Sequence, residues 1–393
     1  MEKQRMLILN GSFCEQPLIE TAKKMGYYVI TTGNAPELIG HKYADEYIPS
    51  DYSDKDAILA LVKEHNINAI QSCANDFGVL TAAYVAEKMG WKGHDTYENA
   101  RTLHHKELFK EFCKENDIPS PLSTKFTTED AANEFVKSCD YPIIVKPNDL
   151  TGGKGISRAD NIKEAKTAIH NAFDRSRDKV VLIEPFIEGT QHTFVAFIIN
   201  KKVYVCTGCN CYSIVNPYLI QTETFPANDF EKDKPELIAI EEKIAEKLNL
   251  ADGIFALQYM KRNGKIYVFE MMRRPFGNQF LTLCSLNTGF SWEEAQIRAE
   301  MGMDPTLPIG QPKMKYLGHH GIMTRKNGKV LSYTIDKDFQ EHIFNTIVMK
   351  NIGDEIKDHM NERMAYLYYQ YDNLDEMNKV APHFNDKIHV VLG

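Results

Sequence analysis

Residues 253–278, GIFALQYMKRNGKIYVFEMMRRPFGN, decide how the rest of the chain is read. Two strand-like apolar runs flank Arg262, Asn263 and Gly264, and an Asn-Gly pair between such runs is a strong hairpin signal. Folding back at that turn brings Gln258 and Glu270 near each other across the two strands. The second strand then ends in a glutamate, two methionines, two arginines and a proline, which core packing does not explain. Magnesium takes hard oxygen ligands together with substrate phosphates, so the Gln258–Glu270 pair is a candidate metal site. The plainer alternative is that Glu270 ends a strand and pairs with Arg273, a kind of surface contact that contributes little. Arg274 offers a guanidinium fork for a carboxylate or phosphate. Arg273 is expected to be a solvated or structural partner.

Upstream of the hairpin, YPIIVKP reads as a strand that delivers Lys146, followed by the glycine-rich DLTGGKGIS. Gly152, Gly153 and Gly155 free the backbone for tight turns and let amides approach phosphate oxygens, with Lys146 and Lys154 adding positive charge. The spacing is not that of a Walker A loop, and an ordinary hairpin turn uses the same residues. VVLIEPFIEG is a strand carrying Glu184, and the Pro185–Ile187 run after it offers backbone groups in an apolar slot suited to adenine. A helical pattern runs from Asn99 to Asp117, and Lys106 shares its basic face with Lys110 and Lys114. TTEDAANEFVKSCD has a threonine start and an acidic first turn, as helix N-termini do.

The first hundred residues alternate short apolar strands with amphipathic helices, which predicts a parallel α/β sheet. The loop NGSFCEQP after the first strand lacks the GxGxxG fingerprint, so a nicotinamide cofactor is not supported. With 393 residues the chain is long enough for two or three domains. Its formal net charge of -8 argues against a general nucleic-acid binder. Neither a secretory leader nor an apolar run of membrane-spanning length is visible, so a cytoplasmic protein without membrane contact is expected.

The 8 cysteines are scattered and do not form a disulfide framework. Cys206, Cys209 and Cys211 cluster in CTGCNC, where three thiolates could hold zinc or respond to redox state. The surrounding KKVYVCTGCNCYSIV alternates like a strand, however, and cysteine there packs as a small hydrophobe; that reading is preferred. His319 and His320 in LGHHG could line a site near a domain junction. A doublet cannot supply two ligands from one helix face, so a structural role is expected.

Taken in order, these segments resemble the ATP-grasp superfamily of carboxylate–amine ligases over nearly the whole chain, with carbamoyl-phosphate synthetase and the purine-pathway enzymes similar in pattern. The resemblance implies an α/β fold with a pre-ATP-grasp domain (1–100), an ATP-grasp domain (101–310, lid about 120–190) and a small C-terminal α/β domain (311–393). It implies ATP with Mg2+ or Mn2+, small-molecule carboxylate and amine substrates, and a possible homodimer. By the same resemblance, HHKELFKEFCKENDIPSP places Lys106 and IIVKPNDLTGGKGIS places Lys146 as the ATP lysines, with the glycine-rich loop over the phosphates. Glu184 and the Phe186–Ile187 backbone would lie near adenine, and Gln191 would stand where many members have a ribose-contacting glutamate. Gln258 and Glu270 would be metal ligands, and Arg274 the anion-binding arginine. Met272 stands where the family has a metal-ligating asparagine; a thioether is a poor magnesium ligand, and Asn278 is a candidate substitute. Met272 and Gln191 also motivate a second expectation, an ATP-binding sensor or assembly protein that has lost catalysis.

Overall fold

The computed structural model describes residues 3–150 and 152–393. Its N-terminal part is a parallel sheet ordered Glu46–Pro49, Tyr28–Gly33, Arg5–Leu9, Ala69–Gln71. The first strand is buried on both faces: Leu7 and Leu9 pack into one core and Met6 and Ile8 into another. Such burial is why parallel strands read as unbroken apolar runs in the sequence.

The centre of the molecule is an eight-stranded sheet. Its order is Lys265–Met272, Gly253–Arg262, Thr190–Ile199, Lys202–Tyr212, Thr222–Phe225, Tyr316–Gly321, Ala365–Tyr371, Ile343–Val348. Alternation along Thr190–Ile199 divides its side chains between two cores. Phe194, Ala196 and Ile198 pack with Leu237 and Ile244 of the helix Phe230–Lys247. Val195 and Phe197 pack with Cys284 and Trp292 of the helix pair Phe280–Thr288 and Trp292–Glu300. Fully burying an aromatic or aliphatic side chain stabilises by about 1.5–3 kcal/mol relative to leaving it exposed. Two apolar faces therefore pin both the position and the register of this strand. The sheet runs on past residue 310, because Thr222–Phe225 pairs with Tyr316–Gly321.

Residues in the 120–190 region form a separate antiparallel sheet, ordered Thr124–Phe126, Val181–Pro185, Ile143–Pro147, Ser157–Ala159. The helices Glu129–Phe135 and Ile162–Arg175 cover it. Thr128 caps the first of them by accepting from the Ala131 N–H at 3.4 Å. A three-stranded sheet of Glu355–Ile356, Gly328–Ile335 and Ile388–Leu392 completes the C-terminal part.

Two local expectations change. The helical stretch expected from Asn99 to Asp117 is two helices, Tyr97–His104 and Lys106–Glu115, separated by His105 in an extended conformation (φ −95°, ψ 118°). Both flanks keep helical periodicity, so a one-residue break leaves no mark in the pattern. The break lets His104 turn to Asp76 while Lys106 opens the next helix. The His319–His320 doublet lies on a strand, not a helix, so the two rings point to opposite faces of the sheet.

Candidate active site

The hairpin of residues 253–272 turns at Asn263 and Gly264, both with positive φ (51° and 75°), as a two-residue turn matching the strand twist requires. Gln258 and Glu270 are directly opposite each other in the ladder. Immediately beyond them the register shifts, so that Tyr259 pairs with Val268 and Phe269 is the extra residue. In a regular strand Phe269 and Glu270 would face opposite ways; with this bulge both line one cavity of about 560 Å³. Among the described residues no side-chain hydrogen bond or ion pair engages Gln258 or Glu270, beyond the backbone ladder that holds them.

A polar row crosses the same sheet face. Gln258 is opposite Thr193, and Thr193 is opposite Cys209. One step along the strands, Met260, Gln191, Cys211, Glu223 and His319 are opposite one another in turn. The ladder thus puts Gln191, Gln258 and Glu270 on one surface, and all three line the cavity.

The cavity's other wall is basic. Lys146 Nζ lies 2.9 Å and Lys110 Nζ 3.5 Å from Glu184 Oε2. Burial by itself raises the Glu184 carboxyl, but these two ammonium groups outweigh it and hold the pKa below its ordinary value. The other oxygen of Glu184 has no hydrogen-bond partner among the described residues. Lys106 Nζ donates to the carbonyls of Asn148 (3.3 Å) and Leu150 (2.5 Å), at the start of the glycine-rich loop. In that loop Gly153 has φ +75°, and a Cβ there would come within 2.4 Å of the Tyr218 carbonyl oxygen. A side chain at 153 would therefore push the loop off the cavity wall. Phe186 is covered by the Arg158 guanidinium, 4.5 Å from its ring centre.

The two arginines after the hairpin part company. Arg274 Nε is 2.6 Å from Asp76 Oδ1, and Arg274 lines the cavity. Burial raises Asp76, but Arg274 and His104 outweigh it and keep the carboxyl well below the usual range. His104 accepts the Arg273 N–H at its Nε2 (3.4 Å), which leaves Nδ1 to donate to Asp76 (3.1 Å). Arg273 turns away, into an ion pair with Asp95 (2.9 Å), whose side chain is 8% exposed, and hydrogen bonds to the Ile254 and Ala251 carbonyls (2.7 and 2.6 Å). The alternative pairing of Glu270 with Arg273 is absent.

Of the residues singled out from sequence, Lys106, Lys146, Gly152, Gly153, Glu184, Phe186, Ile187, Gln191, Gln258, Glu270, Arg274 and Asn278 all line this cavity; Lys154 and Gly155 do not. Lys154 is exposed. Asn278 has its side-chain amide 3.4 Å from His319 Nε2. Met272 lines the cavity but packs into the apolar core. Sequence reading missed Lys110, Asp76, Glu223 and Arg363 as cavity residues. Lys110 had a signal, one helical turn beyond Lys106. Asp76 had another, since it opens the helix that follows the strand Ala69–Gln71, where parallel sheets bind ligands. Glu223 and Arg363 carried none.

The Gln258–Glu270 pair fits a magnesium ion: it offers one carboxylate and one amide oxygen facing the cavity, with no protein partner to displace. Magnesium sites of this kind use one or two carboxylates and take their remaining ligands from water and substrate phosphates.

The family model described as phosphoribosylglycinamide synthetase, ATP-grasp (A) domain, matches residues 104–215. Among solved structures, phosphoribosylglycinamide synthetase from Anaerococcus prevotii is similar with a TM-score of 0.76 at 20% identity, over 100% of both chains. L-amino acid ligase from Bacillus licheniformis is similar with a TM-score of 0.82 at 14% identity, again over 100% of both. N5-carboxyaminoimidazole ribonucleotide synthetase from Thermotoga maritima gives 0.72 at 19% identity, over 99% of this chain and 100% of that one. With a family match on the segment that carries Lys106, Lys146 and the glycine-rich loop, and full-length likeness around it, the chain has the ATP-grasp fold.

Proposed function

We propose that this protein is an ATP-dependent, ADP-forming ligase that activates a small carboxylate as an acyl phosphate and joins it to an amine. The observation that carries the reading is convergence. Lys106, Lys146 and the trio Gln258, Glu270 and Arg274 come from three separate segments of the chain and line one cavity. Basic groups stand on one wall and unpaired oxygen donors on the other, as transfer of a phosphoryl group between anionic partners requires.

ATP would lie between the glycine-rich loop and the hairpin, with adenine toward the Phe186–Ile187 backbone and Gln191 near the ribose. Lys146 and Lys106 would meet the phosphates; Lys106 would exchange its two loop carbonyls for phosphate oxygens. Glu184 pairs with Lys110 and Lys146 and would hold both in place. Glu270 and Gln258 would hold Mg2+ or Mn2+, which when bound supplies charge neutralisation between phosphate oxygens. Arg274, fixed by Asp76, is the candidate clamp for the carboxylate and for the charge that develops as its oxygen attacks the γ-phosphorus. The amine nitrogen then attacks the acyl carbon, the bond from that carbon to the phosphate oxygen breaks, inorganic phosphate leaves, and the nitrogen gives up a proton to complete the amide. Water must be kept from that intermediate, a task suited to the 120–190 lid.

Incubation with Mg-ATP and pooled carboxylates and amines, followed for ADP and phosphate, tests the reading. With the responding carboxylate labelled by 18O, one label should appear in the released phosphate. AMP formation, or ADP release without oxygen transfer, would remove the acyl-phosphate route. Tight ATP binding with no turnover on any pool would point to a nucleotide sensor instead.

A further inference from the structure

A second set of donors lies on the same sheet face, with no role assigned to it in the ligase reading above. Cys209 and Cys211 are two residues apart on the strand Lys202–Tyr212 and face the same way, while Cys206 packs on the opposite side. Their sulfurs are 3.9 Å apart. Glu223, directly opposite Cys211, brings Oε1 to 3.6 Å from Cys209 Sγ and 3.8 Å from Cys211 Sγ. All three residues are buried. The remaining polar contacts are Thr193 Oγ1, 3.3 Å from Cys211 Sγ, and His319 Nε2, 2.6 Å from Glu223 Oε2.

These spacings fit a coordination polyhedron. With zinc–sulfur bonds of about 2.3 Å and zinc–oxygen bonds of about 2.1 Å, tetrahedral edges are about 3.8 Å between sulfurs and about 3.6 Å from sulfur to oxygen. Thiols in simple packing contact reach similar separations, so the carboxylate decides the matter. As thiols both cysteines can donate weak S–H hydrogen bonds to Glu223 Oε1; as thiolates they would set three negative groups round one point, an arrangement that a cation among the three stabilises. His319 takes the other carboxylate oxygen, the position from which a neighbouring group orients a metal ligand. Its Nδ1 has no hydrogen-bond partner among the described residues. Glu223 and Thr193 also line the large cavity, so the fourth corner faces it. Sulfur donors select a zinc-class cation over magnesium.

We propose that Cys209, Cys211 and Glu223 bind one zinc-class divalent cation, with His319 positioning Glu223 and a fourth coordination position open to the cavity. Counted along the ladder, the site is three strand spacings from Glu270, roughly 14 Å, and is separate from the magnesium pair.

Chelator-treated protein titrated with Co2+ tests this. Thiolate-to-cobalt charge-transfer absorption should saturate at one equivalent per chain and be displaced by Zn2+. It should disappear in Cys209→Ala and Cys211→Ala and persist in Cys206→Ala. Glu270→Gln should keep the band while losing ATP turnover, so failure of this inference and failure of the ligase reading are told apart. Should either cysteine variant not fold, X-ray absorption on the zinc-loaded wild type serves instead, with two sulfur neighbours expected at about 2.3 Å. No charge-transfer band in excess Co2+, a band that survives both cysteine substitutions, or a zinc shell without sulfur would overturn the proposal.

Discussion

Arg273 and Arg274 are neighbours in the chain and opposites in the structure. Arg273 is 7% exposed, locked to Asp95 and two backbone carbonyls, and ties the hairpin to the loop around residue 95. Arg274 is held by Asp76 and lines the cavity. Both have a carboxylate partner, so pairing alone does not separate structure from chemistry; what separates them is whether the guanidinium has unused donors toward a space. Arg273 has three protein partners, whereas Arg274 makes its one ion pair and a bond to the Pro275 carbonyl (3.1 Å).

The contrast can be tested directly. The largest effect is expected from Glu270→Gln, which keeps the shape of the cavity edge and removes its unpaired charge. Turnover of Mg-ATP should fall by about 10³-fold, several kcal/mol of transition-state stabilisation, with the thermal midpoint unchanged. Arg273→Ala should leave Asp95 buried and unpaired, costing about 3–5 kcal/mol in denaturant unfolding, while turnover per folded molecule stays within about twofold of wild type. Large loss of turnover with unchanged stability in Arg273→Ala would erase the distinction between the two arginines. Arg274→Lys keeps charge and loses the planar fork; kcat/KM should drop by about 10- to 100-fold, with a smaller stability change than in Arg273→Ala.

The smallest effect concerns stability alone. Glu241 is fully buried on the helix Phe230–Lys247, and among the described residues neither carboxyl oxygen has a hydrogen-bond partner. Burial pushes its pKa well above the ordinary 4.5. A carboxyl raised in the folded state contributes stability that is fully present below the unfolded pKa and is lost as pH rises toward the folded value. Glu241→Gln should therefore raise the melting temperature by about a few degrees at neutral pH and flatten its decline between acidic and neutral pH. Equal slopes in the two proteins would show that Glu241 finds a partner.

How much of this was readable in advance depended on whether the signal was local. The hairpin and its Asn-Gly turn, the parallel N-terminal sheet and the helix beginning at Thr128 follow from periodicity and turn chemistry, which act over a few residues. Most of the cavity residues were legible only because their order resembled a family; Lys106 by itself is one lysine on a basic helix. What no pattern could show is the result of strand pairing across long separations. Glu223 meets Cys211 and His319 only because their strands are neighbours in the central sheet. The Cys206–Cys209–Cys211 cluster looked like one unit in the sequence and is split by the two-residue period of a strand. The break at His105 is likewise a tertiary effect, set by what His104 and Lys106 reach.

The ladder between Thr222–Phe225 and Tyr316–Gly321 has a mechanical meaning as well. It makes the hairpin, the cysteine strand and the C-terminal strands one stiff plate, and any rotation of the C-terminal part against Glu270 would have to shear paired backbone. The sheet of residues 124–185 has its own core and shares no ladder with that plate. Closure of the site is therefore expected on the side of the cavity that carries Lys146 and the glycine-rich loop, with Glu270, Gln258 and Glu223 on the side held by the larger sheet.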